Sequence, residues 1–353
     1  MQHAQLTFPN VDVPENPTNH ANRQLFVSRQ VRRLTATGML IVALALSAFS
    51  APVAAQDQVV AVESAVQWLL KQQMDDGGFA GFSGESDPGA TADAVLALAS
   101  ANAVGIEIDL ELAMKYLEAN ALVFAQTNPG SAAKLSMAAV ATGWDPHNID
   151  NINPMSIVEV ASGMGMIGQG PFEHALGLPA LAATGTVVPE AAIEAARGSQ
   201  AEDGSWAWDG SLEPGVGDTN TTAMMVQGLI AVGVRDEMVD RAMAYLTGAV
   251  NEDGGYPYQP GAETDSNSTA MVLQALIAAA DPTLDEARDA ALAALLGLQN
   301  ESGAFAYMAS VPDDNAFATV QAISAASGVA FPIPAVMTVL ATPPADPEAT
   351  PAG

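Results

Sequence analysis

The chain contains no cysteine, so it has neither disulfide staples nor a thiolate to ligate a metal or attack a substrate. Aromatic residues make up only 5%, and 11 basic residues face 40 acidic ones. The resulting formal charge of −29 repels phosphate backbones and anionic lipids, which argues against nucleic-acid partners. Histidine is scarce as well, with only His147 and His174 beyond residue 55. Long apolar runs are equally rare. The one at Met39 to Ser50, MLIVALALSAFS, is short for a membrane span of about 20 residues. It follows Arg32-Arg33 and precedes APVAAQ. This basic flank, short apolar core and A-x-A-like end read as a secretory signal, with 1–55 as leader, cleavage near Ala55, and an exported chain. Four of the 11 basic and two of the 40 acidic residues precede Gln56, leaving 7 basic against 38 acidic, a net charge of −31.

What is present is helical periodicity. Apolar residues recur at helical spacing in short pieces separated by turns rich in glycine, proline and aspartate. They pair as 59–73 with 90–104, 109–122 with 131–143, 154–166 with 172–185, 189–199 with 219–233, 236–250 with 266–280, and 285–298 with 315–328. The second member of each pair is the more apolar and alanine-rich, as in MVQGLIAVG (225–233) and MVLQALIAAA (271–280). A helix apolar nearly all round is buried on several sides. The second helices are therefore expected to form an inner ring and the first an outer one. The pattern predicts an all-α fold, an α/α toroid (α6/α6 barrel) of six hairpins over 56–342, followed by a Pro/Ala-rich tail at 343–353.

The turns carry a signature: QQMDDGGF (72–79), SQAEDGSW (199–206), NEDGGY (251–256) and LQNESGAF (298–305). Physically, the glycines permit positive φ, the aspartate caps backbone N–H groups, and the aromatic packs over a helix end. The series resembles the Q-x-x-D-G-x-(aromatic) repeats of the squalene cyclase and protein prenyltransferase β-subunit superfamily. That resemblance implies the same toroid.

The inner helices begin with polar entrances, written twice in nearly the same form: DTNTTAMM from Asp218 and DSNSTAMV from Asp265. As a structural device, each aspartate caps its helix. As a binding device, Asp218, Asn220, Thr222, Asp265, Asn267 and Thr269 form the polar rim of a mouth where inner-helix N-termini converge. Asp93 and Lys134 occupy equivalent levels of neighbouring inner helices and are expected to pair inside the barrel, a pair retained for specificity or to bind a ligand. His174 heads the third inner helix, where it serves either as a local hydrogen-bond partner or as a proton donor and acceptor. Acidic turns such as MDDGG (74–78) lack the spacing of a calcium loop, so only diffuse cation association is expected.

Class II cyclases of the resembled superfamily use a D-x-D-D-T-A element whose central acid protonates an alkene. The matching stretch, Asp218 to Ala223, has Asn220 at the donor position and Thr221 after it, and the stretch from Asp265 departs in the same places. An amide cannot supply that proton. Protein prenyltransferases hold zinc with a cysteine, which is absent here. The inner helices are also similar in flavour to the barrels of cobalamin carriers. The expectation is therefore an exported, non-catalytic toroid that binds a small amphipathic or polar ligand at the barrel mouth, with a cyclase-like enzyme bearing a degenerate element as the alternative. No cofactor is identified. Candidate partners are a small corrinoid- or isoprenoid-like molecule and a partner protein.

Overall fold

The computed structural model describes residues 55–335. The leader up to residue 54 and the tail at 343–353 lie outside the described residues. Six inner helices carry the architecture: α2 (Pro88–Ala103), α5 (Pro129–Thr142), α7 (Pro171–Thr184), α9 (Thr219–Ala231), α11 (Ser266–Ala279) and α13 (Ala316–Ala326). Each packs on the next, and α13 returns to α2, so the ring is closed. Behind it lie α1 (Ala55–Leu70), α3 (Glu111–Ala119), α4 (Ala121–Ala125), α6 (Pro154–Gly163), α8 (Glu190–Gly198), α10 (Glu237–Gly248) and α12 (Asp285–Leu296). The six sequence-read pairs are all present. One outer helix is broken in two at Asn120, whose amide nitrogen bonds the Tyr116 carbonyl at 2.8 Å and ends α3.

Five of the six inner helices start on a side-chain cap. Asp87, Asn128, Asp218, Asp265 and Asn315 each accept a first-turn N–H, at 2.7 to 2.9 Å. The sixth, α7, starts from Gly170 with no such cap. It also contains Pro179, yet it remains helical and packs closely on α9. Gly228 is the reason: a Cβ there would press on the Ala175 carbonyl and on Leu178 and Pro179.

The signature turns knit each hairpin to its successor. Gln200 Nε2 donates to Gly204 O within its turn at 2.9 Å and to Met238 O on α10 at 2.8 Å. Gly204 has φ +90, and a Cβ would collide with the Arg241 carbonyl of the same helix. Gln299 repeats the pattern with Gly303 O at 2.9 Å and Ala61 O on α1 at 2.8 Å, which joins the last unit to the first. Trp206, Tyr256 and Phe305, the aromatics that end three of the turns, are at most 1% exposed and fill the core between the rings.

Beyond α13 the chain folds back against the C-terminal ends of the inner helices. Gln274 Nε2 donates to Val329 O at 2.9 Å, and the Phe331 N–H donates to Gln227 Oε1 at 3.1 Å. With Ile333 2% exposed, this segment covers the ring interior beside α9 and α11, and the two glutamines on those helices hold it there.

Candidate functional site

Partial exposure persists two residues after the cap at Gly89, Phe172, Asn220 and Phe317 and six residues after it at Asp93, Lys134 and Gln321, positions that share one helical face. That face looks into the mouth. At the sixth position stand Asp93, Lys134, Leu176, Met224, Met271 and Gln321. Lys134 Nζ lies 2.7 Å from Asp93 Oδ1 and 2.8 Å from Oδ2, a two-oxygen ion pair linking α2 and α5. Beside it is a recess of about 280 Å³ lined by Phe124, Phe172 and Leu176 on its apolar sides and by Ser131, Lys134 and Glu173 on its polar ones. Glu173 Oε2 is buried without a hydrogen-bond partner.

The other sequence-predicted residues divide between mouth and frame. Asn220 and Asn267, two residues after their caps, belong to the mouth. Asn267 is 6% exposed and its Oδ1 has no donor. Asp218 and Asp265 are buried caps, 1% and 2% exposed, and the Tyr258 hydroxyl also bonds the Asp218 carboxylate. Asp218 Oδ1 accepts the Thr221 N–H at 2.7 Å, and Oδ2 accepts the Thr221 hydroxyl at 2.9 Å and the Trp208 N–H at 3.2 Å. Asp265 repeats this with Ser268 at 2.7 and 2.8 Å. Burial pushes both carboxyls above the usual range, and these hydrogen bonds only partly offset it.

Thr222 and Thr269 are fully buried latches, so the rim role expected of them gives way to a structural one. Thr222 Oγ1 accepts the Trp206 N–H at 3.0 Å, and Thr269 Oγ1 accepts the Tyr256 N–H at 2.9 Å. Thr91 and Thr319 hold Phe79 and Phe305 in the same way. His174 occupies this level in the third unit and does the same work. Its Nδ1 accepts the Ile167 N–H at 3.0 Å, which leaves Nε2 to donate to Ala192 O at 3.0 Å. With both nitrogens committed and the ring fully buried, His174 stays outside the mouth. Desolvation lowers its pKa to about 4, opposed in part by the Ala192 carbonyl. Among the described residues no group of three or more His, Asp or Glu side chains converges as a metal site would.

One set of mouth residues was not anticipated. Two residues after three of the four buried turn aromatics comes a second aromatic: Trp206-Ala207-Trp208, Tyr256-Pro257-Tyr258 and Phe305-Ala306-Tyr307, whereas Phe79 is followed by Ala80-Gly81. Trp208 is 64% exposed and Tyr258 37%, while Tyr307 is half-buried. Each lies over the start of the preceding inner helix. The Trp208 carbonyl packs on Gly170 of α7, Tyr258 O accepts the Thr219 N–H of α9 at 3.0 Å, and Tyr307 neighbours Asp265 of α11. The aromatic-x-aromatic spacing was the available signal.

The prenyltransferase alpha-alpha toroid domain family matches residues 23–135 and 219–330. The chain therefore belongs to that family. A search of curated proteins finds no match. Among solved structures, the type II terpene cyclase MstE from Scytonema, in its apo form, aligns with TM-score 0.57 at 15% identity, over 77% of this chain and 98% of that one. The GH76A alpha-1,6-mannanase from Salegentibacter sp. HEL1_6 gives 0.58 at 10% identity, over 77% and 98%. A possible GH105 member from Salmonella enterica gives 0.52 at 12%, over 78% and 94%. These likenesses bear on the fold, which is the toroid, and lend the cobalamin-carrier likeness no support.

Proposed function

We propose that this chain is an exported, non-catalytic toroid that holds a small polar or amphipathic molecule in the mouth formed by the N-terminal ends of its inner helices. The observation that carries this reading is the recess between α2, α5 and α7. An ion pair and polar groups on one side would orient a headgroup, while Phe124, Phe172 and Leu176 hold an apolar part. At about 280 Å³ the recess lies near the lower limit of ligand pockets, about 300–1,000 Å³, so it suits a small guest better than a corrin. Three features weigh against proton-initiated cyclisation. Asn220 stands at the donor position, Asp218 is engaged as a cap, and Asp93 is held by Lys134.

Export rests on the basic flank and apolar run before Gln56. The alternative, a cyclase-like enzyme of the same family, would draw its acid from Asp93. Native mass spectrometry of protein purified from its own host separates the two. A retained small molecule supports the binding reading. Turnover of squalene or a short polyprenol, lost in Asp93→Asn, would replace it with the enzymatic one.

A further inference from the structure

The second aromatics of the three turns are repeat-equivalent, and none is needed for the core that the first aromatics already fill. The backbone fixes them one unit apart around the ring: Trp208 above α7, Tyr258 above α9 and Tyr307 above α11. Trp208 is anchored through its N–H to Asp218, while the Tyr258 N–H lies against Asp265. Trp208 and Tyr258 are exposed and Tyr307 is half-buried, so rings on well-anchored backbone present flat apolar faces at a repeat set by the fold.

The chemistry around these faces is one-sided. The loops that carry them, 207–217, 257–264 and 306–314, contain no lysine or arginine and five carboxylates, of which Glu263 and Asp314 are engaged by Ser310 and by Trp68, Asn300 and Ser302, leaving Asp209, Glu213 and Asp313. Below the rings, Asn267 is 6% exposed with its Oδ1 lacking any donor. A rim rich in acceptors and poor in cations calls for a ligand rich in donors. It also repels an anionic one. A peptide brings a carbonyl acceptor with nearly every N–H it offers, whereas a sugar ring brings many hydroxyl donors and a C–H face that lies flat on an aromatic ring.

We propose that Trp208, Tyr258 and Tyr307 form a shelf that binds a neutral polysaccharide, sugar faces along its length stacking on the three rings and hydroxyls donating to Asp209, Glu213, Asp313 and Asn267. This deepens the reading of the mouth as a ligand site, but it uses the half of the mouth over α7 to α11 and does not depend on the recess beside Lys134.

Affinity electrophoresis of the purified protein tests it, through gels containing soluble yeast mannan, hydroxyethylcellulose or laminarin, with polygalacturonate as the anionic comparison. The expected result is retardation by at least one neutral polymer and none by polygalacturonate. Trp208→Ala and Tyr258→Ala should each raise the apparent dissociation constant about tenfold or more. Tyr258→Phe, which keeps the ring and loses the hydroxyl's bond to Asp218, should bind nearly as the parent. Trp208 and Tyr258 are 64% and 37% exposed, and melting temperatures close to the parent's would show that the variants fold. Free migration through every neutral polymer, equal retardation by polygalacturonate, or retardation untouched by both alanine variants would overturn the shelf. If the shelf fails while native mass spectrometry still finds a small molecule, the recess reading stands alone. An empty barrel that is still retarded by a neutral glycan leaves the shelf without the recess.

Discussion

Lys134 and Asp93, forty-one residues apart in sequence, meet at the mouth with the ammonium within 2.8 Å of both carboxylate oxygens. Their side chains are only 23% and 19% exposed, so either one left alone is a poorly solvated charge. Lys134→Met is expected to destabilise the protein by about 2 kcal/mol in urea unfolding. The double variant Lys134→Met with Asp93→Leu should recover most of that loss, because it removes the stranded charge. A double variant worse than the single one would show that the pair contributes net stability.

Thr222 tests the latch. Its hydroxyl is the acceptor for the buried Trp206 N–H at 3.0 Å. Thr222→Val keeps the shape and leaves that N–H without a partner, at an expected cost of about 1–3 kcal/mol. Thr222→Ser restores an oxygen and should cost less. Equal urea midpoints for the two variants would remove the latch role.

His174 makes a pH-dependent contribution whose sign follows from its lowered pKa. The folded protein holds the ring neutral until about pH 4, whereas the unfolded chain takes up a proton near 6.5. Between those values the unfolded state binds the extra proton, so the stability is present above about pH 6.5 and is lost as pH falls toward 4. The full swing is about 3 kcal/mol. Asp218 and Asp265, whose carboxyls are raised, work in the opposite direction as they protonate. Unfolding free energies measured from pH 7 to pH 4 should fall more steeply in the parent than in His174→Gln. Parallel curves would contradict this.

Asp218 separates capping from charge. Asp218→Ala removes the acceptor for the Thr221 N–H and should cost about 1 kcal/mol or somewhat more. Asp218→Asn keeps one acceptor and avoids burying a negative charge but turns an amide donor toward the Trp208 N–H, so at pH 7 it should unfold between the parent and Asp218→Ala. Differential scanning calorimetry decides between the two orders.

The helical pairing was legible because burial imposes a 3.6-residue period on every inner helix, and the turn glycines mark each junction. The ion pair was legible for a related reason: equivalent levels in successive repeats place Asp93 and Lys134 side by side. Thr222, Thr269 and His174 were harder to assign. A hydroxyl or imidazole one turn into a helix looks the same in sequence whether it faces a cavity or a neighbouring turn, and the partner is a backbone N–H that sequence does not display. Asp218 and Asn220 are only two residues apart, yet the helix sends one into the frame and the other into the mouth. Trp208, Tyr258 and Tyr307 went unread because the buried aromatic two residues earlier drew the whole explanation of each turn.

The seam between the last unit and the first, where Gln299 grips Ala61 and Trp68 Nε1 donates to Asp314 at 3.1 Å, has a thermodynamic consequence. A linear array of helix pairs frays from its ends, since a terminal unit detaches by breaking one interface. In this ring every unit is held on two sides, so no unit can detach without breaking two. Amide hydrogens throughout the inner helices should therefore exchange in one slow, concerted class with no gradient from either terminus.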